Sequence, residues 1–177
     1  MSQQVKTILG VIAFVVVLGV AVFAYNALTR DTEPEIFAPA DIQQVPNFTM
    51  LNAAGEEVEL HSFFGTPIVL NFWTTWCRFC VIESPHFQAL YQEAGGEIYI
   101  IKVNLREPRT TVENFMQENG YTFPLFFDVD GSAGNAFRVR GVPMTFFIDA
   151  NGAEVGRVQG AVTEQTLWNG VGLIVGE

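Results

Sequence analysis

The stretch Val69–Pro85, VLNFWTTWCRFCVIESP, limits what this chain can become more than any other. Ile68 to Trp73 is an apolar, β-favouring run and predicts a buried strand. It passes through Thr74–Trp76 into Cys77-Arg78-Phe79-Cys80 and then into a helical pattern, so the only two cysteines sit where a strand end becomes a helix start. Unpaired backbone N–H groups and a partial positive charge at a helix start favour a thiolate. Arg78 adds a cation beside Cys77, which marks that residue as the nucleophile. Two cysteines at this spacing can close a small disulfide and reopen it by thiol exchange. As a structural staple the pair is poor, because so short a loop is worth only roughly 2 kcal/mol. Zinc normally takes four ligands, and only His61 and His86 remain to join the thiolates. A redox-active dithiol is the favoured reading, with metal binding the next.

Cys80, Glu83, Phe87, Leu90 and Ala94 follow steps of three and four, one stripe of a helix. The stripe is otherwise apolar, so Glu83 is expected on its buried side. There a carboxyl holds its proton more tightly and can pass it near Cys80. The bland alternative is an exposed first-turn acid favoured by the helix dipole. Pro85 lies near enough to the helix start to kink its early turns without ending it.

NFWTTWCRFC followed by Glu83 and Pro85 resembles the membrane-anchored, thioredoxin-like thiol–disulfide oxidoreductases of the TlpA, ResA and CcmG (DsbE) type. The resemblance extends over about residues 45–175. It implies an α/β thioredoxin fold, a mixed central sheet flanked by helices, with an N-terminal hairpin and a central helix-plus-strand insertion.

The length of 177 residues suits one domain with appendages. A hydrophobic fraction of 49 % with 16 phenylalanines supplies a substantial core, and the net charge of −10 argues against a nucleic-acid partner. After a short tail, residues 1–7, the almost uncharged run 8–28 is long enough to span a bilayer. A cleaved secretory signal is the rival reading. The brief tail places the N-terminus inside and the domain outside, although Lys6 and Arg30 on either side leave the charge rule nearly silent. The expected location is therefore the bacterial cytoplasmic membrane, single-pass, with the domain on the extracytoplasmic (periplasmic) side. Residues 29–45, with Pro34, Pro39 and several acids, show no period and read as a flexible linker.

The thioredoxin-like domain is expected over 46–177. Strands are expected at 47–51 and 56–60 as a hairpin around Gly55, then at 97–104, 122–127, 144–149 and 154–159. Helices are expected at 110–119, closed by Gly120, near 132–138, and at 164–174, with a helical turn at 61–64. Asp128 and Asp130 lack further calcium ligands and read as turn and cap residues.

GVPMTFFID resembles the family segment whose proline is cis and lies beside the CxxC, which makes Val142 and Pro143 substrate contacts by strand addition. Trp76, immediately before Cys77, is a candidate partner contact, as are Arg78 and Phe79 between the cysteines, while Trp73 reads as a core aromatic. The resemblance implies that Cys77 attacks a partner's disulfide, Cys80 resolves the mixed disulfide, and Glu83 accepts the proton. No cofactor beyond the Cys77–Cys80 pair is expected. The implied partners are protein disulfides, apocytochrome c among them, and a membrane electron donor of the CcdA or DsbD type. Arg78-Phe79 lacks the proline most relatives have in that dipeptide, Asn71 stands where thioredoxin has a buried acid, and Met144 follows Pro143 where threonine or glutamate is common. Two other classes remain open from sequence: a Cu(I) metallochaperone using the thiolates and a histidine, and a tethered thioredoxin-fold adaptor without catalysis. A peroxiredoxin-type peroxidase is disfavoured, because its Pro-Thr-Cys setting is missing.

Overall fold

The computed structural model describes residues 3–28, 34–40 and 43–176. Its chain divides into two units, residues 1–32 and 33–177. The first holds helix α1, Gln3–Leu28, in which the 21 residues Thr7–Ala27, of mean hydropathy 2.8, are long and apolar enough to cross a membrane. Arg30, weighed in the sequence for orientation, lies outside the described residues, as do the rest of 29–33 and 41–42 of the expected linker.

The second unit is built on one seven-stranded sheet. Its strands are β1 (Thr49–Asn52), β2 (Glu57–Glu59), β3 (Ile68–Trp73), β4 (Tyr99–Leu105), β5 (Leu125–Asp128), β6 (Met144–Ile148) and β7 (Glu154–Gln159). They lie in the order β2-β1-β5-β4-β3-β6-β7. β3, β4 and β5 run parallel; β6 pairs antiparallel with β3, as do β7 with β6 and β1 with β5. Helices α2 (Arg78–Glu93), α3 (Arg109–Asn119), α4 (Ser132–Ala136) and α5 (Glu164–Ile174) complete the unit, with a 3₁₀ turn at Leu60–Phe63. This is the thioredoxin fold, with α3 and β5 as the inserted helix and strand.

All six residues of β3 are buried, as a strand covered on both faces requires. Its side chains alternate between two cores. Val69 and Trp73 join Phe87, Leu90, Leu167 and Val171 on the face of α2 and α5. Ile68, Leu70 and Phe72 join Phe48, Phe137 and Phe146 on the other. The same alternation turns Asn71 toward α2, and sheet register sets Thr145 on one side of it and Lys102 on the other. A polar row thus crosses three strands beneath the cysteine helix.

Two expectations are corrected. Residues 34–40 and 43–45 are not a free linker: Phe37 exchanges backbone hydrogen bonds with Arg157, the Val45 N–H donates to the Gly152 carbonyl, and the Glu154 N–H donates to that of Gln43. Val45 is buried. β7 has an open edge, and this segment pairs with it at isolated bridges. The strand expected from Thr122 starts instead at Leu125, because the side-chain carbonyl of Gln88 on α2 takes the N–H groups of Thr122 and Phe123. The remaining elements fall within a few residues of their expected bounds, and α3 ends at Gly120, whose φ of +68° suits a residue without a Cβ.

Candidate active site

Cys77 is the N-cap of α2. Its backbone is extended, and its Sγ accepts a hydrogen bond from the Cys80 N–H at 3.3 Å, one of the donors a helix start leaves unpaired. The thiol itself donates to the Val142 carbonyl at 3.6 Å. Both cysteines are free thiols, with 8 % of the Cys77 surface open and none of the Cys80 surface. Burial, and after it the bond to Cys77, pushes the Cys80 thiol well up. The slightly open Cys77 is thus held by helix-start geometry, and Cys80 is fully buried.

Glu83 lies on the buried face of α2, as its helical phase implies, with no surface exposed. Its Oε1 accepts from Asn71 Nδ2 at 2.9 Å and its Oε2 from the Val162 N–H at 3.1 Å. Asn71 Nδ2 also donates to Thr145 Oγ1 at 3.0 Å, so one amide ties the acid to two strands. Burial raises the Glu83 carboxyl to about 7; the charge of Lys102 and the two donors oppose that shift without cancelling it.

Lys102 is the residue that sequence reasoning missed. It is fully buried in β4, and its Nζ has no hydrogen-bond partner among the described residues. The ammonium lies 3.9 Å from the ring centroid of Phe87 and 5.2 Å from those of Trp73 and Phe123. Burial lowers its titration to about 8, with Glu83 the main influence pulling it back up. The available signal was a lone cation in YIIKVNL, a strand otherwise fit for burial on both faces.

Around the open sulfur the expected contacts come together unevenly. Trp76 is 75 % exposed and Phe79 61 %, a large apolar surface on either side of Cys77. Arg78 is exposed, and Val142 is half-buried. The Val142–Pro143 bond is cis. Pro143 itself is buried, so Val142 is the part of that segment a visitor can reach. A cavity of about 670 Å³ beside Cys77 is lined by Trp76, Arg78, Arg106, Glu107, Arg140 and Val142, among others. Arg106, Glu107 and Arg140 sit on loops too distant in sequence to be grouped without the fold. Glu107 accepts from the Thr75 N–H and hydroxyl and from Asn104 Nδ2.

The histidines do not join the thiols in a ligand set. His61 Nε2 lies 3.0 Å from the Val45 carbonyl oxygen, and its ring packs on Phe64. Among the described residues no group of three or more His, Cys, Asp or Glu side chains is placed to hold a metal ion. Asp128 accepts from the Ala133 and Gly134 N–H groups and Asp130 from that of Ser132, so both act as turn and cap acceptors.

A thioredoxin fold with a dithiol at the start of the helix following its central strand defines a class of thiol–disulfide oxidoreductases. Comparison with known proteins narrows it. Residues 42–153 match the AhpC/TSA family model. The chain is 35 % identical to the thiol-disulfide oxidoreductase ResA of Geobacillus thermodenitrificans, over 85 % of this chain and 83 % of that one. It is 31 % identical to ResA of Bacillus subtilis, over 92 % and 89 % respectively. The crystal structure of StoA from Bacillus subtilis superposes with a TM-score of 0.63 at 27 % identity, covering 75 % of this chain and 99 % of that one. The chain belongs to the ResA-type thiol–disulfide oxidoreductases within the AhpC/TSA thioredoxin-like family, and it is an enzyme of that kind.

Proposed function

We propose that this chain is a membrane-tethered reductase of protein disulfides working on the extracytoplasmic side of the bacterial cytoplasmic membrane. The apolar stretch Thr7–Ala27 supports the tether. The observation that carries the reading is the inequality of the two sulfurs: Cys77 caps the helix with part of its surface open, and Cys80 is sealed beside a buried acid.

In the reaction, the Cys77 thiolate attacks one sulfur of a partner's disulfide. The partner's other sulfur leaves as a thiolate and takes a proton. Cys80 gives its proton toward Glu83 and attacks Cys77 Sγ, which breaks the mixed disulfide and frees the partner's second thiolate. Two electrons pass to the partner, and the Cys77–Cys80 disulfide remains, so the pair itself carries the electrons without a further cofactor. Its reduction is assigned to a membrane thiol–disulfide carrier of the CcdA or DsbD type. Apocytochrome c, whose haem-binding thiols must be reduced, is the proposed physiological partner. Trp76, Arg78, Phe79 and the Val142-Pro143 segment receive it; the exposure of the two aromatics and the reach of the Val142 carbonyl to Cys77 support that role.

The test is capture. Cys80→Ala, expressed in the full chain, is expected to accumulate mixed disulfides through Cys77 that dissolve with reductant and contain c-type apocytochromes. Capture of other disulfide proteins in place of apocytochromes contradicts the partner assignment. Absence of any mixed disulfide contradicts the reductase reading itself.

A further inference from the structure

We propose that the mouth of this site selects disulfides set among acidic residues in an extended segment of the partner polypeptide. This rests on the exchange reaction above and names the class of segment that enters it. The chain as a whole carries −10, so cations gathered at one place stand against its general charge. Of the six arginines among the described residues, Arg109 and Arg157 are held by Glu113 and Glu154. Arg78, Arg106 and Arg140 instead line the cavity beside Cys77. All three are exposed, and none is ion-paired with a carboxylate of the described residues.

The one acid on that lining is Glu107, whose carboxylate is occupied by Thr75 and Asn104. Three arginines against one glutamate leave the wall net positive. Arg106 lines the cavity while its guanidinium reaches to the neighbouring turn, donating to the Asp130 carbonyl at 3.1 Å and lying over Gly131. Arg78 and Arg140 reach the lining from two separate elements, one in the helix start and the other in the loop leading to Val142.

Trp76, 75 % exposed, adds apolar surface to the same lining. A segment offering carboxylates with apolar residues between them meets both features. A basic segment is repelled here and attracted by the acidic surface elsewhere, so it docks away from the sulfur. Such complementarity acts mainly on the rate of encounter and fades as salt screens it.

The test uses the full chain in a neutral detergent, reduced and freed of reductant. Three synthetic peptides each carry one intramolecular disulfide, flanked by aspartate and glutamate, by serine, or by lysine. The acid-flanked peptide is expected to be reduced about tenfold faster than the lysine-flanked one at low salt, the gap closing to about twofold near 0.5 M. Arg140→Glu, a change at an exposed position, is expected to erase or reverse that order. Equal rates at low salt, a preference for lysine, or an order untouched by Arg140→Glu overturns the proposal. Oxidised glutathione is run alongside as an anionic disulfide with no extended chain; a rate matching the acid-flanked peptide overturns the peptide assignment. The serine-flanked peptide at high salt reports the exchange chemistry alone. If it is reduced while charge makes no difference, only this inference fails; if no peptide is reduced, the exchange reading fails and this one with it.

Discussion

At the mouth of the site Cys77 stands among Trp76, Arg78 and Phe79, all exposed, whereas one helical turn further on Cys80 and Glu83 are fully buried over Asn71, Thr145 and Lys102. The mouth meets water and any visitor, so its charges act through screened, long-range attraction. The floor is cut off from solvent, so each charge there is costly and its protonation follows from its immediate neighbours. On the proposed reaction, the contrast divides labour along one helix: recognition and attack at the cap, proton storage below it. Asn71 joins the two levels, because it holds Glu83 from the strand whose end delivers Cys77.

The largest expected break comes at Glu83. Glu83→Gln keeps the size of the side chain and removes its titration. Resolution of the mixed disulfide is expected to slow by about 10²-fold, the scale of general acid–base assistance, and to lose its inflection near pH 7. Stopped-flow measurement of the second exchange step checks this, and an unchanged pH profile removes Glu83 from the proton path.

Lys102 sharpens the comparison next. Its cation holds the Glu83 titration down, so Lys102→Met is expected to move that titration upward from about 7. Carboxyl infrared or NMR titration reads the shift directly, and a downward movement contradicts the coupling.

The same pair makes a stability prediction whose sign is fixed. Glu83 titrates near 7 in the folded domain against the usual 4.5, so between those values the folded state keeps a proton the unfolded chain has lost. That contribution is full below about 4.5 and is lost as pH rises to 7. Lys102 titrates near 8 against the usual 10.5, so the unfolded chain keeps the extra proton across that window, and stability returns as pH climbs from 8 to 10.5. Both groups are charged between about pH 7 and 8, where a trough on the order of a few kcal/mol is expected. Unfolding of the wild type against the Glu83→Gln, Lys102→Met double variant, across pH in one detergent, isolates it; parallel curves contradict the assignment.

The smallest effect on the fold belongs to the mouth. Trp76→Ala is expected to change stability by less than about 0.5 kcal/mol, because the ring is mostly in water, while weakening use of peptide disulfides. A large loss of stability with unchanged peptide kinetics would make Trp76 a structural residue.

Much of the site was legible in the sequence, for identifiable reasons. Cys77 and Cys80 announced themselves by spacing at a strand-to-helix junction, and Glu83 by its phase on an otherwise apolar stripe. Both signals are local and periodic. Lys102 was not legible, because a lysine in a strand ordinarily reaches water along its own stem. Its burial follows from α2 covering that face of β4, a tertiary fact. Arg106 and Glu107 follow the end of β4, parallel to β3, and Arg140 precedes the start of β6, antiparallel to it, so only the sheet brings the three to Cys77. The docking of Phe37 and Gln44 was hidden for another reason: backbone pairing with Arg157 of β7 and with Ala153 just before it leaves no side-chain period to read.

The inequality of the two sulfurs is tested most directly by brief alkylation of the fully reduced chain near pH 7, followed by mass spectrometry of each cysteine. The expected result is modification of Cys77 with Cys80 spared, and Cys80 becoming reactive only at strongly alkaline pH or after unfolding. Modification of Cys80 as fast as Cys77, or ahead of it, contradicts the account.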